Sequence, residues 1–195
     1  MKITKNTSLE IIKEIGKECD RCNNCCSYDT GIVLENDIPK IAEHFKLNIE
    51  DFKEKYLVEH ERFNKKCFKF KQIKNNKING DENKQTKNFL TGKVTKTTNT
   101  LKPFGRCIML DDEKGCIIHH VKPLHCRVCS AKSKQGEELT QWFALNYLVE
   151  VNDPESIRQW AIFLEYNKPI SGGELKELIP DCEKLKRILG YELLK

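Results

Sequence analysis

Four cysteines within eight residues, Cys19-x-x-Cys22-x-x-Cys25-Cys26, constrain this chain more than any other feature. A gap of two residues lets one turn bring both sulfurs to a single metal, at about 2.3 Å for zinc. Backbone N–H groups in such a turn can donate to the sulfurs and stabilise their charge. Repeating the gap makes three thiolates converge. The adjacent Cys26 points elsewhere, so it serves a second metal or completes the site from another angle.

A second cysteine segment runs from Pro103 to Ser130. It contains Cys107, Cys116 and the pair Cys126 and Cys129, again at metal-ligand spacing. Eight sulfurs suffice for two four-thiolate sites, or for one site with thiols to spare. Three other readings compete. Disulfides suit a secreted chain, but Met1 to Asn6 is followed by no apolar stretch of the kind a secretory signal needs. A thioredoxin-type pair sits where a strand meets a helix, whereas Cys19 follows a helical pattern. Burial in a core conflicts with the polar neighbours Asp20, Arg21, Asn23 and Asn24.

Composition agrees with a metal clamp. At 195 residues, 38% hydrophobic and 32% charged, the chain has a modest supply of core residues, and bound metal offsets that. The net charge of +5 comes from scattered lysines rather than a dense basic run, so nucleic acid is not indicated. Lys17, Arg21, Arg106 and Arg127 lie within a few residues of the cysteines and are expected to balance the anionic thiolates. No apolar run is long enough to span a bilayer, so membrane partners are not expected. The expected location is the cytoplasm, where thiols stay reduced.

The rest of the chain reads as short helices around these segments. Thr7 and Glu10 fit a capping box, with Leu9, Ile12 and Ile15 at helical spacing and Gly16 as the stop. Asp37 is placed to cap a helix over 38–45 with Pro39 in its first turn, and Asn48 to cap one bearing Ile49, Phe52 and Tyr56. Lys66 to Ile73 alternates like a strand, with Phe68 and Phe70 on one side. Phe89 to Val94 is the candidate return strand of a hairpin, and 75–87 a flexible insertion. Glu137 to Val149 carries Trp142, Leu145 and Leu148 as a helical stripe. Pro154 opens a helix with Ile157, Trp160, Ala161 and Leu164 inward. The last stripe runs Leu175, Leu178, Cys182, Leu185 and Leu189, kinked at Pro180.

Other candidates carry less. His119, His120 and His125 lie among the second set, and an imidazole can replace one thiolate. For each of them a surface or hydrogen-bonding role is the simpler reading. His44 and His60 read as helix-surface residues, Cys182 as core, and Cys67 stays unassigned. No P-loop, dinucleotide fingerprint or serine-nucleophile motif is present.

Taken together, these residues resemble the YkgJ-type cysteine-cluster proteins, a family of zinc- or iron-chelating domains. The resemblance rests on Cys19 to Cys26, on Asp37 opening a helix with Ile38, Ile41 and Ala42, on Cys107 to Leu110, on Gly115 to Ile118 and on Pro123 to Arg127. It covers about residues 17–130. The chain departs from the family pattern at Lys122, where Arg is usual, at His119, where Tyr is common, and at Cys129, where Pro is frequent. The resemblance implies metal chelation. Some larger relatives are linked to flagellin lysine methylation, an activity not carried over to this much shorter chain.

The expected fold is mainly α with a small β-hairpin and an irregular cysteine-rich centre packed by short helices. Residues 1–195 are expected to form a single domain, with the cysteine-cluster region at 17–130 and C-terminal helices at 137–195. The expected metal ligands are Cys19, Cys22, Cys25, Cys26, Cys107, Cys116, Cys126 and Cys129. They hold an iron–sulfur cluster, of the 4Fe–4S type, in a redox or electron-transfer role. The alternatives are structural zinc in a module that contacts protein or nucleic acid, and a metal-dependent enzyme distantly related to the flagellin lysine methylases. Four-thiolate tetrahedra suit zinc and iron–sulfur alike. Bacterial ferredoxins share the repeated gap of two, but their fourth cysteine lies further on and precedes proline, whereas Cys26 follows at once and precedes Ser27.

Overall fold

Apolar residues at helical spacing near the N-terminus form helix α1 (Leu9–Gly16), which buries Ile12 and ends on a buried glycine. A computed structural model describes residues 2–16, 23–73, 86–87, 94–95, 105–129 and 133–191. Thr7 does not cap α1 as expected. Its hydroxyl accepts the Thr4 N–H at 2.9 Å, and the carbonyl of Ser8 takes the first helical bond, from Ile12.

The chain resumes in α2 (Asn24–Tyr28) and β1 (Ile32–Val33), followed by a 3-10 turn over Glu35–Asp37, α3 (Ile38–His44) and α4 (Ile49–Tyr56). Asn48 caps α4 as its sequence position suggests, accepting the Asp51 N–H at 2.8 Å. Strands β2 (Leu57–Arg62) and β3 (Lys65–Phe70) follow as a hairpin and pair antiparallel in register from Leu57↔Phe70 to Arg62↔Lys65. Their turn, Phe63 and Asn64, has φ of 54° and 59°, the left-handed pair of a tight two-residue hairpin. Phe63 accepts this unusual conformation because its ring is buried against Trp160, 5.5 Å between centroids.

The expected return strand is therefore misplaced. β3 pairs with β2 and β1, in the order β1-β3-β2. β2 was not recognised because five of its six residues lie outside the core and carry no apolar alternation. Of the expected return strand Phe89 to Val94, residues 89–93 lie outside the described residues, and Val94 lies in β6 (Val94–Thr95), which pairs with β5 (Thr86–Lys87). Most of the expected 75–87 insertion falls outside the described residues. The chain after β3 enters β4 (Gln72–Ile73), whose partner is β7 (Arg106–Cys107), in register Gln72↔Cys107. β8 (Leu110–Asp111) and β9 (Gly115–Cys116) form one further small ladder. Helices α5 (Leu124–Val128), α6 (Gly136–Tyr147), α7 (Pro154–Tyr166), α8 (Leu175–Leu178) and α9 (Cys182–Leu189) complete the order. Among the described residues, then, nine α-helices accompany four small antiparallel sheets, a more mixed architecture than one hairpin in a helical protein.

The three-stranded sheet separates two apolar clusters, following the period-2 alternation of strands. Ile32 and Cys67 face the cluster built with α1, α5, α6, α7 and α9. Val33, Leu57 and Phe70 face the cluster of α3 and α4, which includes Cys107, Met109 and Ile118. Cys67, unassigned from sequence, is thus a core residue, 4% exposed. The final apolar stripe is not one kinked helix. The chain breaks at Ile179 and restarts under Asp181, whose carboxylate accepts the Glu183 and Lys184 N–H groups at 3.0 Å. The break removes Cys182 from the buried face, so the expected core cysteine is exposed, while Leu185 and Ile188 are buried. His44 is an exposed helix residue, as expected, but His60 lies on strand β2.

Candidate metal centre

The centre is built around α5, the one-turn helix that carries Cys126 and leads directly to Cys129. Three contacts position it. Asp37 reaches across the chain, and its Oδ1 accepts the Leu124 N–H at 3.1 Å. The expected cap of α3 by Asp37 is not made. The carboxylate serves the start of α5 instead, while its Oδ2 accepts the Leu34 N–H at 3.3 Å. Gly16 lies against the α5 backbone so closely that a β-carbon there would sit 2.6 Å from the Arg127 carbonyl. Gly31 presses on the Cys126 side chain, where a β-carbon would sit 2.1 Å from Sγ. Only glycine allows approaches this short.

The first motif meets the second segment through α2. The Gly105 N–H donates to the Tyr28 carbonyl at 2.9 Å, which ties the end of α2 to the entry of β7 and Cys107. Asn23, left-handed at φ 61°, faces Gly115 at the β8–β9 turn. Asp111 closes that turn by accepting the Glu113 and Lys114 N–H groups at 3.0 and 2.9 Å, and Gly115 supplies its φ of +70°. Cys116 is thereby presented toward α2.

The result is a chain of thiols. The Cys26 side chain lies within hydrogen-bonding reach of both Cys116 and Cys25. Hydrogen bonding to Cys116 and Cys25, with burial, raises the Cys26 thiol far above its ordinary range. The same bonds from Cys26 lower the Cys25 thiol to about 6 and the Cys116 thiol to about 7, with the Lys122 ammonium adding to both effects. Burial pushes Cys107 and Cys129 up to about 12. Burial also drives Cys126 well above the ordinary thiol range, reinforced by Cys107, Cys116, Cys25 and Cys129. Among the described residues, no three His, Cys, Asp or Glu side chains are arranged to hold a single ion. Cys19 and Cys22 lie outside the described residues.

Of the four cations expected near the cysteines, Arg106 and Arg127 are described. Arg106 is engaged by Asp112 at 2.5 Å and by the Leu110 carbonyl at 2.7 Å. Arg127 donates to the Lys122 carbonyl at 2.9 Å. Lys17 and Arg21 lie outside the described residues, so Lys122 is the described cation whose charge reaches Cys25 and Cys116. Of the histidines, His125 packs edge-on against Phe143, 4.7 Å between centroids, and burial pushes it down to about 4. His120 is exposed and edge-on to His44 at 4.6 Å. His119 is half-buried.

A cleft of about 520 Å³ opens beside the centre, with Cys25 and Cys129 on one side and α6 and α7 on the other. Sequence reasoning missed the packing roles of Gly16, Gly31 and Asp37. Gly16 carried a signal only as a helix stop, and the partner of Asp37 lies far along the chain.

Fold and site define a class of cysteine-cluster protein in which two separate cysteine segments meet at the seam between two apolar clusters. The chain belongs to the CxxCxxCC family, described as "Putative zinc- or iron-chelating domain", whose model matches residues 18–145. No curated protein and no solved structure matches it. Among the described residues, no helix is long and apolar enough to cross a membrane.

Proposed function

We propose that Cys19, Cys22, Cys25, Cys26, Cys107, Cys116, Cys126 and Cys129 form a thiolate metal centre that holds an iron–sulfur cluster in a redox or electron-transfer role. The observation that carries this reading is the meeting of the two cysteine segments at Cys26, whose side chain lies within hydrogen-bonding reach of Cys25 of its own motif and Cys116 of the second segment. A metal cation bound there would take the place of thiol protons and relieve the repulsion among clustered sulfurs. The donor set fits soft, thiophilic metals, because the described candidates that meet here are all sulfur.

Two further points support the reading. Gly16 and Asn23 bracket the six residues that contain Cys19 and Cys22, and both rest on the second cysteine segment. Cys25, Cys26 and Cys116 lie close enough to share hydrogen bonds, so soft metal ions or clusters that need several thiolates find them grouped. When bound, such a cluster supplies one-electron chemistry. The chain's own part is to hold the thiolates, balance their charge through Lys122, and present the Cys25 edge outward. A reducing compartment such as the cytoplasm belongs to the same reading.

The test is anaerobic purification followed by iron, sulfide and zinc analysis with a visible spectrum. A brown protein with matched iron and inorganic sulfide supports the proposal. A colourless protein with stoichiometric zinc overturns the iron–sulfur part and leaves structural zinc. A metal-free protein after anaerobic reconstitution overturns both.

A further inference from the structure

The family match ends at residue 145, yet the cleft beside the cysteines is walled partly by α7, which lies beyond it. Phe163 and Asn167, at the end of α7, face Cys25 and Cys129 across the opening. The Phe163 ring is fixed by stacking on Trp160, 4.9 Å between centroids and 18° between planes. Asn167 is held by donating its Nδ2 to the Phe163 carbonyl at 2.7 Å, which turns its Oδ1 away as an acceptor. These residues make a rigid wall with one aromatic surface and one polar tip.

Lys134 and Glu137 also line the cleft, and both are exposed. A cation and an anion three residues apart, facing an aromatic wall, complement a molecule that carries both charges on an apolar body. The volume, about 520 Å³, falls within the range of about 300–1,000 Å³ usual for small-molecule sites.

From this arrangement we propose that the cleft binds a small zwitterionic molecule of amino-acid type with an aromatic or apolar side chain, its body against Phe163 and its charges on Lys134 and Glu137. The site lies next to Cys25 and Cys129, so it deepens the metal-centre reading by giving the centre a substrate-facing edge. The binding itself does not require that reading.

The experiment is calorimetric titration of the full chain with phenylalanine, phenylethylamine and phenylpropionate, with metal counted in every sample. Phenylalanine should bind saturably, and each single-charge analogue about tenfold more weakly or worse, as expected when one charge-assisted contact is lost. Lys134→Met should weaken phenylalanine and leave phenylethylamine unchanged. Phe163→Ala should weaken all three, and Asn167→Ala provides a second wall variant if Phe163→Ala fails to fold. Absence of saturable phenylalanine binding, or equal binding of all three probes, overturns the proposal. Metal content is read separately, so a metal-free protein that still binds phenylalanine sinks the metal reading and keeps the cleft.

Discussion

The α-carbon of Gly31 packs so tightly on Cys126 that a β-carbon there would lie 2.1 Å from Sγ. This contact, together with that of Gly16 on Arg127 and Val128, sets where α5 carries its cysteines.

Gly31→Ala should therefore damage the centre directly. Forcing a methyl group into a packed site costs about 1–3 kcal/mol. The variant is expected to lose stability of that order and a large part of its metal. Denaturant unfolding beside metal counts checks this, and wild-type values for both would show that the contact is not tight.

Asp37 gives a prediction about pH. Burial raises its folded-state pKa above the unfolded value, despite its bonds from Leu124 and Leu34. A raised pKa means that its contribution to stability is fully present below the ordinary aspartate value and is lost as pH rises through the folded value. Asp37→Asn keeps an acceptor for the Leu124 N–H, so it should flatten this part of the pH–stability profile and match or exceed wild type near neutrality. Asp37→Ala removes the acceptor and should cost about 0.5–2 kcal/mol, as for a lost helix cap. Equal behaviour of the two variants across pH would refute this account.

Three cysteine variants, two outside the proposed centre and one at a proposed ligand, separate packing from chelation. Cys67→Ala should lower stability by about 1 kcal/mol through a small cavity, with metal retained. Cys182→Ala, at an exposed position, should stay within about 0.5 kcal/mol of wild type and keep its metal. Cys22→Ser should lose metal. Equal metal loss across all three would mean that the ligand set is misassigned.

Stripping the metal under reducing conditions should loosen residues 23–30 and 105–129 before the C-terminal helices. Cys26, Cys107 and Cys116 pack with one apolar cluster and Cys129 with the other, so a metal held by the proposed ligands would tie the two together. Structural metal supplies on the order of 10 kcal/mol in small zinc modules, comparable to the stability of a whole domain. Helices α6 and α7 retain Trp142, Phe143, Ile157 and Trp160 as their own core. Hydrogen exchange on the metal-free protein reads the order, and unchanged protection in 23–30 would contradict it.

The pairing of β4 with β7 brings Ile73 opposite Arg106, so the two ends of the intervening stretch already meet. Replacing residues 76–103 with a short Gly-Ser turn should leave metal content unchanged, because loop closure depends only weakly on length. A marked loss of metal would place part of that stretch in the site.

Much of this protein is decided locally and is legible in its sequence. The gap of two residues between cysteines is a property of one turn, and the stop of α1, the cap of α4 and the apolar stripes of α1, α6 and α7 depend on neighbours within a few positions. β2 escaped detection because its polar, largely exposed face carries no apolar alternation. Cys182 was misjudged because the break at Ile179–Asp181 turns the last helix away from the stripe that precedes it. The tertiary structure alone decided that Asp37 caps α5 rather than its own helix, that the Cys67 face of β3 packs against α6 and α7, and that Cys26 meets Cys116. Each of these depends on contacts between segments far apart in the chain. Gly31 and Asp37 state their function only once the helix that carries Cys126 is packed against them.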